Sequence, residues 1–105
     1  SEGTALQLQT LQAQLAKTTD PQRRSQLQNQ IRQTRDQAIS NMTPQEAQER
    51  LQSYIRNNGM ASRLRGEDPN SLEYAKAIED LRTEIERDPE LGDREKSLLI
   101  SQLPG

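Results

Sequence analysis

The chain predicts an all-α fold, and three observations carry that expectation. Its apolar residues are Leu, Ile, Ala, Met and Tyr, with no Val, Phe, Trp or Cys, so the side chains that favour strands are nearly missing. Leu, Ala, Gln, Glu and Arg dominate the remainder, and all are good helix formers. Four pairs, Asp20-Pro21, Thr43-Pro44, Asp68-Pro69 and Asp88-Pro89, join a side-chain acceptor to a proline, the local chemistry of an N-cap and a first helical position. The expected architecture is an elongated bundle of four to five helices. It has an N-terminal antiparallel pair, a capped middle helix and a C-terminal helical hairpin.

The first helix is expected over residues 4–18. Ala5, Leu8, Leu11 and Leu15 keep a helical period in a narrow stripe. Asp20 precedes a proline and is pushed out of the helical region, which breaks the chain there. The second helix, over 21–41, repeats the narrow stripe with Leu27, Ile31, Thr34 and Ala38. A short link makes the two an antiparallel pair. Their glutamines mostly flank the seams and read as soluble filler.

The third helix, over 44–57, has the strongest signals. Thr43 caps it, Pro44 occupies the first position and Glu46 completes a capping box. Ala47, Leu51, Tyr54 and Ile55 form its apolar face, and Gly59 suits a left-handed stop. Residues 60–65 add one further turn. The fourth helix, over 69–87, is expected to be capped by Asp68 and to face inward through Tyr74, Ile78, Leu81 and Ile85. Leu91 is expected to plug the following corner. Asp93 then caps a fifth helix over 94–103, with Leu98, Leu99 and Leu103 inward. The proline marks are nearly periodic, but the segments share no side-chain pattern, so they are punctuation rather than a repeat.

At 105 residues the chain reads as one helical domain, divided into 1–42, 43–66 and 67–105. Its Leu and Ile total 19 residues, a thin core that favours a partner, a second copy or a longer parent chain. The start at Ser-Glu-Gly and the end at Pro104-Gly105 read as a processed chain or a fragment. Net charge is only −2, and no basic stripe suggests nucleic acid. No apolar run is long enough to span a membrane.

Chemistry is sparse. Without His or Cys the commonest general base, the thiol nucleophile and nearly every transition-metal site are missing, so the chain is read as a non-enzyme without cofactor or metal. Lys96 and Ser97 are adjacent and point apart on a helix. Asp88, Glu90, Asp93 and Glu95 surround Gly92 but lack the register of a calcium loop, and Asp88 and Asp93 are explained as caps. Arg23, Arg24, Arg32 and Arg35 are read as solvated helix surface rather than a phosphate site. The residues best suited to a protein partner are Leu51, Tyr54, Met60, Leu64 and Tyr74. Tyr54 and Tyr74 are the sole aromatics, and Met60 is a flexible apolar residue beside a turn.

One stretch carries a family resemblance. It runs Tyr74, Ile78, Leu81, then Asp88-Pro89-Glu90-Leu91, Glu95-Lys96, Leu99-Ile100 and Gln102-Leu103-Pro104. This resembles the helical region of lipase-specific foldases, the periplasmic steric chaperones of secreted bacterial lipases. The resemblance covers roughly 30 residues, and the family's Phe-Asp-Tyr motif is missing because the chain has no Phe. It implies a periplasmic or secreted, chaperone-like helical protein that grips another protein. The alternative, from the narrow seams alone, is a structural homo-oligomer assembled through a coiled coil of the first two helices.

Overall fold

The computed structural model describes residues 2–105, the side chain of Glu2 excepted. Its described residues form six α-helices and no strand: α1 (Glu2–Lys17), α2 (Pro21–Ala38), α3 (Pro44–Asn57), α4 (Ala61–Arg65), α5 (Leu72–Arg87) and α6 (Asp93–Ser101). None is long and apolar enough to cross a membrane. Backbone contacts divide the chain into two compact units. Unit 1 comprises residues 1–41 and 89–95, and unit 2 comprises 42–88 and 96–105.

In unit 1, α1 and α2 pack along each other around buried Leu15, Leu27 and Ile31, with Leu8 and Leu11 half-buried against them. A link of three residues turns the chain back, so the helices run antiparallel. Asp20 is the N-cap of α2 and accepts a hydrogen bond from the Arg23 N–H at 2.9 Å. The end of α1 is closed from α2: Arg24 Nη1 donates to the carbonyls of Leu15 and Thr18, both at 2.8 Å. Arg24, expected on a solvated face, therefore satisfies carbonyls that the helix end leaves open. Ala5 and Ala38, counted into the stripes, are exposed.

The segment 89–95 is fastened to α2 by three side chains. Arg32 Nη1 donates to the Pro89 carbonyl at 2.6 Å. Arg35 grips Glu95 in a two-pronged pair, Nε to Oε1 at 2.8 Å and Nη2 to Oε2 at 3.0 Å. Asp36 Oδ1 accepts from the Glu95 N–H at 3.0 Å, supplying a cap to α6 from another helix. Gly92 makes that cap possible, because a Cβ there would overlap the Asp36 carboxylate. Arg32 and Arg35, too, were expected as solvated surface. Leu91, 2% exposed, belongs to this unit.

Unit 2 is built on α3, α5 and the end of the chain. The capping box of α3 is complete: the Glu46 N–H donates to Thr43 Oγ1 at 3.2 Å, and the Thr43 N–H donates to Glu46 Oε1 at 3.1 Å. The helix stops in a Schellman arrangement, with Met60 N–H on the Ile55 carbonyl at 3.0 Å and Gly59 N–H on Arg56 at 3.3 Å. Gly59 has φ +72°, the left-handed conformation that glycine adopts without strain. Ala47, Leu51, Tyr54 and Ile55 of α3 are buried, as are Ala77, Ile78, Leu81 and Ile85 of α5, and Leu99 and Leu103.

Two of the four acceptor–proline pairs do not start helices. Asp68-Pro69 forms a turn, in which the Ser71 N–H donates to the Asp68 carbonyl and the Asn70 N–H to its Oδ1, both at 2.9 Å. Ser71 is the true cap of α5 and accepts from the Tyr74 N–H at 3.1 Å. Asp88 is the C-cap of α5, held extended before Pro89. The physical reason is shared chemistry: Asp followed by Pro also occupies the first two positions of a β-turn. Asp93, expected as a cap, is the first residue of α6, whose Glu95 N–H is taken by Asp36 instead.

Candidate protein-binding groove

An open groove of about 460 Å³ runs through unit 2. Leu51, Ile55 and Ile78 form its buried floor, and half-buried Leu64 and Tyr74 stand at its sides. Leu103 and Pro104 close it from the end of the chain. Gln48, Gln52, Arg65, Glu67 and Pro69 complete the lining. An apolar floor inside a polar margin is the usual anatomy of a recognition site, and the volume lies within the ~300–1,000 Å³ range of ligand pockets.

Local chemistry positions these walls. The capping box and the Gly59 stop fix α3, and with it Leu51 and Ile55. The reversal at Gly59 leads directly into α4, which carries Leu64. α4 is tied to α5 by an exposed ion pair, Arg63 Nη1 to Asp80 Oδ2 at 2.8 Å. Ser71 sets the first turn of α5, and so the height of Tyr74. The short α4 has no buried residue, so Leu64 turns a half-covered apolar side chain toward the groove rather than into the core.

Of the five residues singled out in the sequence, the structure brings Leu51, Leu64 and Tyr74 together here. Tyr54 lies elsewhere: 7% exposed, it donates its hydroxyl to Asp88 Oδ2 at 2.9 Å and so pins the end of α5. Met60 is half-buried at the N-cap of α4 and does not line the groove. Sequence reasoning missed Gln48 and Gln52, whose offset from Leu51 and Ile55 on α3 was the available signal, and Pro104.

The groove holds no pairing of nucleophile and base, and its charged side chains are one cation and one anion, Arg65 and Glu67. Among the described residues, no cluster of three or more acidic side chains could hold a metal ion. Two of the acidic residues around Gly92 are otherwise engaged, Asp88 by Tyr54 and Glu95 by Arg35. What the arrangement can do is take up apolar side chains and ring them with amides. Comparison with protein-family models, with curated proteins and with solved structures returns no match.

Proposed function

We propose that this chain is a non-enzymatic protein-binding module whose unit 2 groove receives apolar side chains of a partner segment, in the helix-in-groove manner. The observation that carries the reading is the convergence of Leu51, Leu64 and Tyr74 on one apolar floor with an uncharged or mixed-charge margin. A flat or fully polar surface would offer a partner no anchor. The foldase-like stretch supports a chaperone-like role in a bacterial envelope or secretion system. Four groove residues, Tyr74, Ile78, Leu103 and Pro104, fall within that stretch.

The test is capture from cell-envelope and secreted fractions with two baits, the natural chain and a Leu64→Glu/Tyr74→Ala variant. Both positions are half-buried, so the variant keeps the core. The reading expects one partner in near-stoichiometric amount on the natural bait and its loss from the variant. Equal recovery on both baits, or no stoichiometric partner, overturns it.

A further inference from the structure

We propose that Asn58 is a self-modifying position. Its side-chain amide is lost to ring closure by the Gly59 nitrogen while the stop of α3 is open, and the product loosens α4. Asn58-Gly59 is the only place in the chain where Asn precedes Gly. Both residues are exposed. An asparagine amide is open to attack by the main-chain nitrogen of the next residue. Glycine, without a Cβ, hinders that attack least.

The step balances with water alone. The Gly59 nitrogen gives up its proton and bonds to Cγ of Asn58. The bond from Cγ to Nδ2 breaks, and Nδ2 leaves as ammonia carrying that proton. A cyclic imide remains, in which the Gly59 nitrogen joins Cγ and the Asn58 carbonyl carbon. Water then opens the ring. Attack at Cγ leaves an aspartate in a normal main chain. Attack at the main-chain carbonyl leaves an isoaspartate, with the chain running through Cγ. Nothing is oxidised or reduced.

The folded stop holds the reacting atoms apart. Asn58 has ψ 11°, which turns the Gly59 nitrogen toward Asn58's own nitrogen and away from its side chain. The Gly59 N–H is donated to the Arg56 carbonyl at 3.3 Å, and Asn58 Nδ2 donates to the Tyr54 carbonyl at 2.9 Å. Both bonds must break before the ring can close. The opening is local, because the segment that follows is lightly held. α4 has five residues, none of them buried, and no side-chain bond at its N-cap. Its ion pair to α5, Arg63 with Asp80, is exposed. Segments with few buried contacts open far more often than the core.

The product does not fit the place of the amide. A carboxylate cannot donate to the Tyr54 carbonyl, and its charge lies at the negative end of the α3 dipole. An isoaspartate also adds a carbon to the main chain. That shifts the Gly59 and Met60 N–H groups off the Arg56 and Ile55 carbonyls. The Schellman stop is then lost, and α4 is released at its N-terminal side. α4 carries Leu64, so the reaction reaches a wall of the groove. That last consequence rests on the proposed binding role of the groove, whereas the reaction itself does not.

The full chain, folded or in urea, is incubated at neutral and mildly alkaline pH and mapped by peptide mass spectrometry. Asn58 is expected to show the mass change of an amide becoming an acid ahead of Asn29, Asn41, Asn57 and Asn70. Aspartate and isoaspartate should both appear, since direct hydrolysis of the side chain would give aspartate alone. Because two hydrogen bonds must open first, the folded chain should react at least ~10-fold more slowly than the chain in urea. Charge-separating chromatography then isolates the modified chain, and Asn58→Asp supplies the aspartate form directly. Both should keep their helicity by circular dichroism, while amide exchange at Gly59, Met60 and Leu64 quickens several-fold relative to Leu51. Another asparagine reacting first, equal rates folded and unfolded, or products with unchanged exchange would overturn the inference.

Discussion

Replacing Arg35 by Met should cost more stability than replacing its partner Glu95 by Gln, although both changes abolish the same ion pair. The asymmetry follows from burial. The Glu95 side chain is 0% exposed, whereas that of Arg35 is 21% exposed. Removing the guanidinium leaves a carboxylate that water does not reach and that has lost its cation, a situation that costs about 3–5 kcal/mol. Removing the charge of Glu95 leaves a guanidinium with one side already in solvent, so the loss is nearer that of hydrogen bonds to a charged group, about 1.5–3 kcal/mol. Replacing both by apolar residues, Arg35→Met/Glu95→Leu, should cost less than Arg35→Met alone, because no charge is left buried. Urea unfolding followed by far-ultraviolet circular dichroism gives the three free energies. Amide spectra of Leu27 and Ile31 show whether the loss falls on unit 1, since both tyrosines lie in unit 2 and report only there. Equal costs for Arg35→Met and Glu95→Gln, or an Arg35→Met variant within 0.5 kcal/mol of the natural chain (roughly the scatter of neutral surface changes), would refute this account.

Gly92→Ala and Asp36→Ala should each cost about 1 kcal/mol, the worth of a lost cap, and the double variant should cost little more than either. Additive losses in that cycle would show that the two residues do not act through the Glu95 N–H. Gly59→Ala should destabilise α3 by about 1 kcal/mol although the space there is open, because φ +72° strains any residue with a Cβ. A thermal melt unchanged by the substitution would contradict that. The Thr43 N–H, and then its hydroxyl, hold the Glu46 carboxyl below its usual range. Its folded pKa is thus depressed, so the stabilisation it gives is present above the unfolded pKa and is lost as pH falls through the folded one. A carboxyl-carbon titration should place the Glu46 midpoint below the ordinary glutamate value, and a midpoint at or above that value would reject the assignment.

How much of this was legible depends on how far apart the partners lie. α3 could be read almost whole, because its capping box spans Thr43 to Glu46 and its stop is decided at Gly59. Most of the buried stripes of α1, α2 and α5 was legible from spacing, down to Thr34, whose hydroxyl donates to the Gln30 carbonyl at 2.9 Å, although Ala5 and Ala38 are exposed and Ile39 and Ala77 are buried outside the expected stripes. The Asp-Pro pairs misled at residues 68 and 88 because a turn and an N-cap use the same side chains. At 68 the contest was settled by Ser71, a second cap three residues on. Nothing local could reveal that Asp36 caps α6 or that Gly92 exists to let it in, since the bonded residues stand 59 positions apart. In the groove, Leu51, Leu64 and Tyr74 declared themselves, whereas Ile55, Ile78 and Leu103 read only as core residues. Gln48 and Gln52 declared nothing, because a glutamine at a margin looks like any glutamine on a surface.

The attachment of residues 89–95 to α2 bears on the order in which the molecule can be made. Unit 1 is interrupted in sequence: the whole of Met42–Asp88 is synthesised between its two parts. As the chain leaves the ribosome, the α1–α2 hairpin emerges before residues 89–95, and Arg32, Arg35 and Asp36 wait for partners 57, 60 and 59 positions behind them. Contacts of such long sequence separation form late. The nascent hairpin therefore cannot complete these three attachments until residues 89–95 have been made.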